Sequence, residues 1–240
     1  MCVNADTPPL FRILLLAATP FEVEATVLWL RQRALEEVAN LLKFGSVEIE
    51  VLFTGVGPAA TAYVLGNRFA SAPRPNMVLQ AGVAGAYHRD VPLGTVVQVT
   101  SECFADLGAG SADGAFLSLG DIGLHPGQPF DLGEMLRLPP LATATPFPAV
   151  TGATVSQTTG TLRRREELLK RWPDAEVETM EGAPFFRACL DHGIPPVQIR
   201  AISNYVETRD KETWQMKEAI DALNIALQSL LAGFLQQPVD

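Results

Sequence analysis

Three cysteines, three histidines and only 18 lysines and arginines are what this 240-residue chain holds of the groups that staple folds, ligate metals or grip polyanions. Cys2, Cys103 and Cys189 are too few and too scattered for a disulfide framework, and none stands in a CxxC spacing. A reducing, cytoplasmic setting is therefore expected. His88, His125 and His192 have no metal-ligand spacing among themselves or with the cysteines, so neither a metal nor another cofactor is expected. The net charge of −9 opposes binding to phosphate backbones or anionic lipid, because both need a basic face. Nucleic acid and membrane are thereby set aside as partners. The longest early apolar run, Ile13 to Ala18, is far shorter than a membrane span and follows no basic leader, so neither a spanning helix nor a signal peptide is expected. Ser156 and Ser203 have no His and Asp near them in sequence, which leaves them as polar support at strand ends rather than nucleophiles.

An apolar fraction of 48% against 19% charged supplies a core, and no tract reads as a linker, so one domain over 1–240 is expected. Ile13 to Ala18 reads as a buried strand entering a helix. Thr19, Pro20 and Glu22 form a capping-box signature there, and Val23, Val27, Leu30, Ala34, Val38 and Leu41 continue at helical spacing towards Gly45. Val47 to Phe53 alternates as a strand and runs into Gly55-Val56-Gly57-Pro58, where a second helix should start. Met77 to Gln80 is a short central strand exiting at Ala81-Gly82-Val83-Ala84-Gly85-Ala86, and Thr95 to Thr100 is another strand. Residues 104–148 hold many glycines and prolines without a sustained period, so loops and short elements are expected. Strands at Val150–Ser156, Glu176–Thr179 and Val197–Ser203 then alternate with helices at Thr161–Arg171, Glu181–His192 and Glu212–Leu235. This alternation predicts a three-layer α/β/α domain on a central, mostly parallel sheet, with ligands at the carboxyl ends of its strands.

Four of those strand exits carry reactive or recognition groups: Glu22, the Gly82–Gly85 turn, Met180-Glu181-Gly182 and Ser203-Asn204. The series Ala18 to Glu22, Thr54-Gly55-Val56-Gly57-Pro58, Gly82-Val83-Ala84-Gly85, Thr179-Met180-Glu181-Gly182-Ala183 and Arg200-Ala201-Ile202-Ser203-Asn204 resembles, in order and spacing, one superfamily. It is that of the purine nucleoside phosphorylases and methylthioadenosine/S-adenosylhomocysteine nucleosidases. Within it, Phe104 to Ala109, Phe116 to Leu119, and Arg200 to Glu207 with Trp214 are similar to the futalosine hydrolases, which act in an alternative menaquinone route.

The resemblance implies cleavage of a purine N-glycosidic bond, with a purine nucleoside as small-molecule partner and a homodimer or larger homo-oligomer. Glu22 would activate water, and Glu181 would accept hydrogen bonds from ribose hydroxyls with Met180 against the sugar. Val83, Ala84, Gly85, Thr179 and Ser203 would line the substrate site. Each residue also has a plainer reading: Glu22 as half of a capping box, Glu181 as an acid at a helix N-terminus, Met180 as core. Glu24, two residues beyond Glu22 on a helix, faces elsewhere and reads as solvated.

Two features bear on the reaction. The first strand exit has no Arg or Lys before Arg31, and a carboxylate there would repel phosphate, which favours hydrolysis unless an arginine such as Arg200 arrives from elsewhere. Asn204 stands where adenine-directed nucleosidases carry an aspartate. Its amide suits a 6-oxo base by donating to O6 and accepting from N7–H, although it cannot itself transfer a proton to the leaving base. Val83 replaces a serine of the nucleosidase pattern, and the stacking aromatic is not recognisable in Val155 to Gly160, leaving Phe104 or Tyr205 to supply it. A methylthioadenosine nucleosidase, a purine phosphorylase and a non-catalytic nucleoside-binding protein are the alternative readings.

Overall fold

In the computed structural model, which describes residues 10–138 and 145–236, the first apolar run is β1 (Phe11–Ala17), paired in parallel with β4 (Val47–Phe53) and β5 (Met77–Ala86). Ile13, Leu15 and Ala17 pack into one cluster with α1 (Pro20–Arg31) and α5 (Met216–Gln236). Leu14 and Leu16 pack oppositely, with α2 (Pro58–Ser71) and α4 (Gly182–Asp191). A strand covered on both faces needs an unbroken apolar sequence, and three layers follow from it.

Among the described residues, the central mixed sheet has ten strands. Beyond β5 come β12 (Pro196–Tyr205), β6 (Val96–Phe104), β10 (Ala149–Thr154) and β11 (Val177–Thr179). Because β11 pairs with β10 and also, antiparallel, with β5, these five strands close on themselves. Ala84, Ala86, Val97, Val99, Val150, Val177 and Ile202, drawn from all five, form one buried cluster. Closure was not foreseen from the alternation of elements, since it depends on a three-residue strand bridging two others.

The helix expected to run towards Gly45 stops at Arg31. Residues beyond it instead form β2 (Glu36–Val38) and β3 (Leu41–Phe44), an antiparallel extension laid on β4. Leu42 gains burial opposite Ile49, and Gly45 at φ 69° makes the turn into β4, so sheet extension overrides the helical spacing. Likewise Gly82 to Ala86 continue β5 rather than leave it. The 104–148 excursion holds a small hairpin of β7 (Gly108–Gly110) and β8 (Phe116–Ser118), and β9 (Leu136–Arg137) pairs with β6. Thr161 caps α3 (Leu162–Arg171) by accepting from the Arg164 amide. The last helix begins at Met216, after a 3₁₀ turn at Lys211–Thr213.

α5 is long and apolar enough to cross a membrane by length and composition, but one of its faces packs into the protein. Ala219, Leu223, Leu227 and Leu231 are buried with the first sheet cluster, and Asn224 is bonded to α1.

Candidate active site

At the carboxyl ends of β1, β5, β11 and β12 lies a cavity of about 310 Å³. All nine residues singled out from the sequence border it: Glu22, Val83, Ala84, Gly85, Thr179, Met180, Glu181, Ser203 and Asn204.

Glu22 serves two ends at once. Its Oε2 accepts from the Thr19 amide at 3.0 Å and from the Thr19 hydroxyl at 3.2 Å, which is the capping-box contact, while Oε1 accepts from the Val83 amide at 3.3 Å. The backbone carbonyl of Glu22 accepts from Asn224 Nδ2 at 2.9 Å, so α5 fixes the turn that carries the carboxylate. Burial raises its pKa above the ordinary glutamate value, although Arg200 and the amide donors pull the other way. A carboxylate tuned upwards is a better match to a proton removed near neutrality.

Glu181 occupies the N-cap position of α4 but makes no capping bond to that helix. Its Oε1 accepts instead from the Gly57 amide at 3.0 Å, at the start of α2, where Gly57 sits at φ 97°. Its Oε2 faces both terminal nitrogens of Arg200 at 3.4 Å. Arg200, 2% exposed, thus lies under the cavity floor between the two carboxylates. Gly82 makes that meeting possible: a Cβ there would stand 2.4 Å from Arg200 Nη1 and 2.8 Å from Glu22 Oε1.

On β12 the register slips between Ile202 and Asn204, so that Ile202 is opposite Ala84 and Asn204 opposite Gly85. Consecutive strand residues normally point to opposite faces, and a bulge relieves that constraint. Ser203 and Asn204 both reach the cavity as a result. The Ser203 hydroxyl donates to Asn204 Oδ1 at 2.9 Å, and Asn204 Nδ2 donates to the Tyr205 carbonyl at 3.1 Å.

Neither Phe104 nor Tyr205 borders the cavity. Phe104 packs on Phe130 with ring centroids 6.1 Å apart, and Tyr205 lies under the Arg89 guanidinium. The aromatic residues that do border it are Phe21 and Trp214. Sequence reasoning also passed over Glu178 and Thr159, which line the cavity, and treated Arg200 only as a conceivable phosphate ligand. Glu178 stood in a strand with no motif to mark it; an acid directly before the Thr179-Met180-Glu181-Gly182 exit was the available signal. Glu24 is exposed, as its helical offset implied.

A central mixed sheet, partly closed, with two carboxylates held over a buried arginine at its strand ends, defines a class. Residues 12–236 match the family model described as the phosphorylase superfamily, and solved structures share the fold. The methylthioadenosine/S-adenosylhomocysteine nucleosidase of Helicobacter pylori superposes with a TM-score of 0.76 at 17% identity, covering 94% of this chain and 99% of that one. The futalosine hydrolase of the same organism gives 0.75 at 17%, covering 93% and 98%. Sequence relatives are more specific. The futalosine hydrolase of Streptomyces coelicolor is 37% identical over 186 residues, covering 75% of this chain and 77% of its own. That of Thermus thermophilus is 38% identical over 188 residues, covering 75% and 80%. The chain belongs to the phosphorylase superfamily and, within it, to the futalosine hydrolase family.

Proposed function

We propose that this protein hydrolyses the N-glycosidic bond of futalosine, releasing hypoxanthine and dehypoxanthine futalosine, as a step towards menaquinone. The observation that carries the reading is the pair of buried carboxylates, Glu22 and Glu181, held at one cavity by Arg200 and by amides from two other elements. In this reading water sits between Glu22 and the anomeric carbon. As the carbon–nitrogen bond breaks, its electron pair leaves with the base, water oxygen bonds to the anomeric carbon, and Glu22 takes one of the water's protons; the departing purine anion takes a proton from solvent water, and Glu22 returns its own to solvent. Glu181 accepts from the ribose hydroxyls and strengthens as the sugar gains positive charge, with Met180 against the ring. Asn204 holds the base edge, Ser203 fixes the Asn204 amide, and Val83, Ala84, Gly85 and Thr179 form the walls.

Hydrolysis is favoured over phosphorolysis by where the cations are. Arg200 spends its terminal nitrogens on Glu181 and the Val83 carbonyl, and the only lysine or arginine bordering the cavity among the described residues is Arg209. Two carboxylates nearby make a poor phosphate seat.

We place the protein in the cytoplasm as one domain that assembles as a homodimer or larger. Support for assembly comes from Phe21 and Leu28 on α1, Val56 in the turn before α2 and Tyr63 on α2, which are half or more exposed, with Phe21 and Val56 bordering the cavity. The function is tested by incubating purified protein with futalosine, its 6-amino analogue, inosine and methylthioadenosine, with and without phosphate, and identifying the liberated base. Phosphate-independent release of hypoxanthine from futalosine is expected; preferential release of adenine from methylthioadenosine would refute the assignment.

A further inference from the structure

Three strands line up one row of residues across the cavity floor. Glu178 on β11 is opposite Gly85 on β5, and Gly85 is opposite Asn204 on β12. Directly paired residues on neighbouring strands share a face, so Glu178 and Asn204 flank the glycine from either side, with their Cα atoms roughly 10 Å apart at ordinary strand spacing. Both border the cavity. A Cβ at Gly85 would stand 2.8 Å from Val206 Cγ2 and 3.1 Å from Asn204 Nδ2, so the glycine lets both side chains close over the strand between Glu178 and Asn204.

Resting on the reading of this cavity as a nucleoside site, we propose that Glu178 is a specificity-determining residue that accepts the N1–H of a 6-oxopurine whose other edge Asn204 reads. The chemistry of the carboxylate supports this. Its Oε1 accepts from the Thr159 amide at 2.9 Å and its Oε2 from the Tyr87 hydroxyl at 3.0 Å, which fixes its plane and leaves lone pairs unspent. Both contacts come from donors, which favour the ionised form. Tyr87 itself is 2% exposed, so the carboxylate is backed from inside the fold and cannot turn away to water. Burial raises the Glu178 pKa, as it does for any acid kept out of water. No ion pair offsets its charge among the described residues, and each carboxylate oxygen keeps a lone pair for a further donor.

The two purine types differ at that contact. A 6-oxopurine presents a donor at N1, whereas a 6-aminopurine presents a lone pair that a carboxylate repels. A site built to bond a donor rejects the analogue lacking it more strongly than an apolar pocket rejects a missing methylene. Glu178 and Asn204 then discriminate at two separate atoms of one base, which a single amide cannot achieve.

The test compares kcat/KM for futalosine and its 6-amino analogue in wild type and Glu178→Gln, whose side-chain amide can donate to the N1 of a 6-aminopurine. The ratio is expected to fall by about tenfold or more towards the 6-amino substrate. Equal losses on both substrates would overturn the proposal and leave Glu178 as an anchor for Thr159. Calorimetry on wild-type protein supplies a measurement that depends neither on turnover nor on the variant's folding. Hypoxanthine should bind about tenfold or more tightly than 1-methylhypoxanthine; equal affinities would overturn the proposal even in an enzyme that cleaves futalosine. Failure to cleave futalosine, with that difference in affinity intact, would instead refute the proposed reaction and keep the base contact.

Discussion

A carboxylate that caps a helix and a carboxylate that removes a proton are usually alternative explanations of one residue; Glu22 is a cap, and in the proposed reaction it is also the base. Its Oε2 holds the Thr19 amide while Oε1 reaches across to Val83, so the cap orients the base. Glu22→Gln should preserve the fold and lower kcat by about 10²–10⁴-fold, the usual contribution of a positioned general base. Stopped assays together with circular dichroism check this, and near-normal turnover would reduce Glu22 to a cap. The upward shift of its pKa has a sign that kinetics can read. In the proposed reaction the ionised form is the active one, so kcat should fall on acidification through a pKa above the ordinary glutamate value. A limb below that value would contradict the geometry. Asn204→Asp should lose activity on the 6-oxo substrate and shift preference to the 6-amino analogue, each mismatched hydrogen bond being worth about 1–3 kcal/mol. Parallel losses on both would make Asn204 a strand-end prop.

At the scale of elements, two strands decide whether the site exists. β5 passes over Arg200 only because residue 82 lacks a side chain. Gly82→Ala should therefore push apart Arg200 and Glu22, costing about 1–3 kcal/mol of stability and most of the activity. Gly66→Ala is the control, since nothing lies within 4 Å of its added Cβ in α2, and it should leave kcat/KM unchanged. Thermal melts and kinetics on both variants distinguish the two outcomes. The strand exits bearing Glu22 and Glu181 were legible in the sequence because each joins an apolar run to a cap or glycine signal, whereas Asn204 was legible through the resemblance of the run from Arg200 to Asn204 to the family pattern. The bulge at Ser203 was not, because a register slip leaves no mark on hydrophobic alternation. Nor were β2 and β3: Ala34, Val38 and Leu41 keep helical spacing, and only the vacant edge of β4 makes a hairpin the better use of them. Phe104 and Tyr205 were expected at the base because they are aromatic and near site motifs, yet the strand pleat turns both away.

Across the whole molecule, the closed part of the sheet buries a carboxyl group beside the start of α4. Glu102 is fully buried, and its oxygens meet Thr154 Oγ1 at 2.9 Å and Thr179 Oγ1 at 3.0 Å, while the two hydroxyls lie 3.0 Å from each other. Three contacts in that ring need three protons, and two threonines supply only two. A proton on Glu102 closes the ring, in keeping with a pKa that burial pushes up to about 7 against the opposing pull of the Gln198 amide and Arg200. Since the folded-state pKa exceeds the unfolded one, this contribution to stability is fully present below about pH 4.5 and is lost as pH rises through about 7. A shift of that size corresponds to on the order of 3 kcal/mol. Glu102→Gln, whose amide can donate in place of the carboxyl proton, should flatten the dependence of melting temperature on pH between 5 and 8, and an unchanged slope would reject the protonated ring. The central claim, that water attacks a purine nucleoside here under Glu22, is tested most directly by turning over futalosine in ¹⁸O-labelled, phosphate-free water. Hypoxanthine release with the label on the anomeric hydroxyl of the sugar product, abolished in Glu22→Gln, is the expected result; turnover that requires phosphate, or that survives Glu22→Gln undiminished, would contradict it.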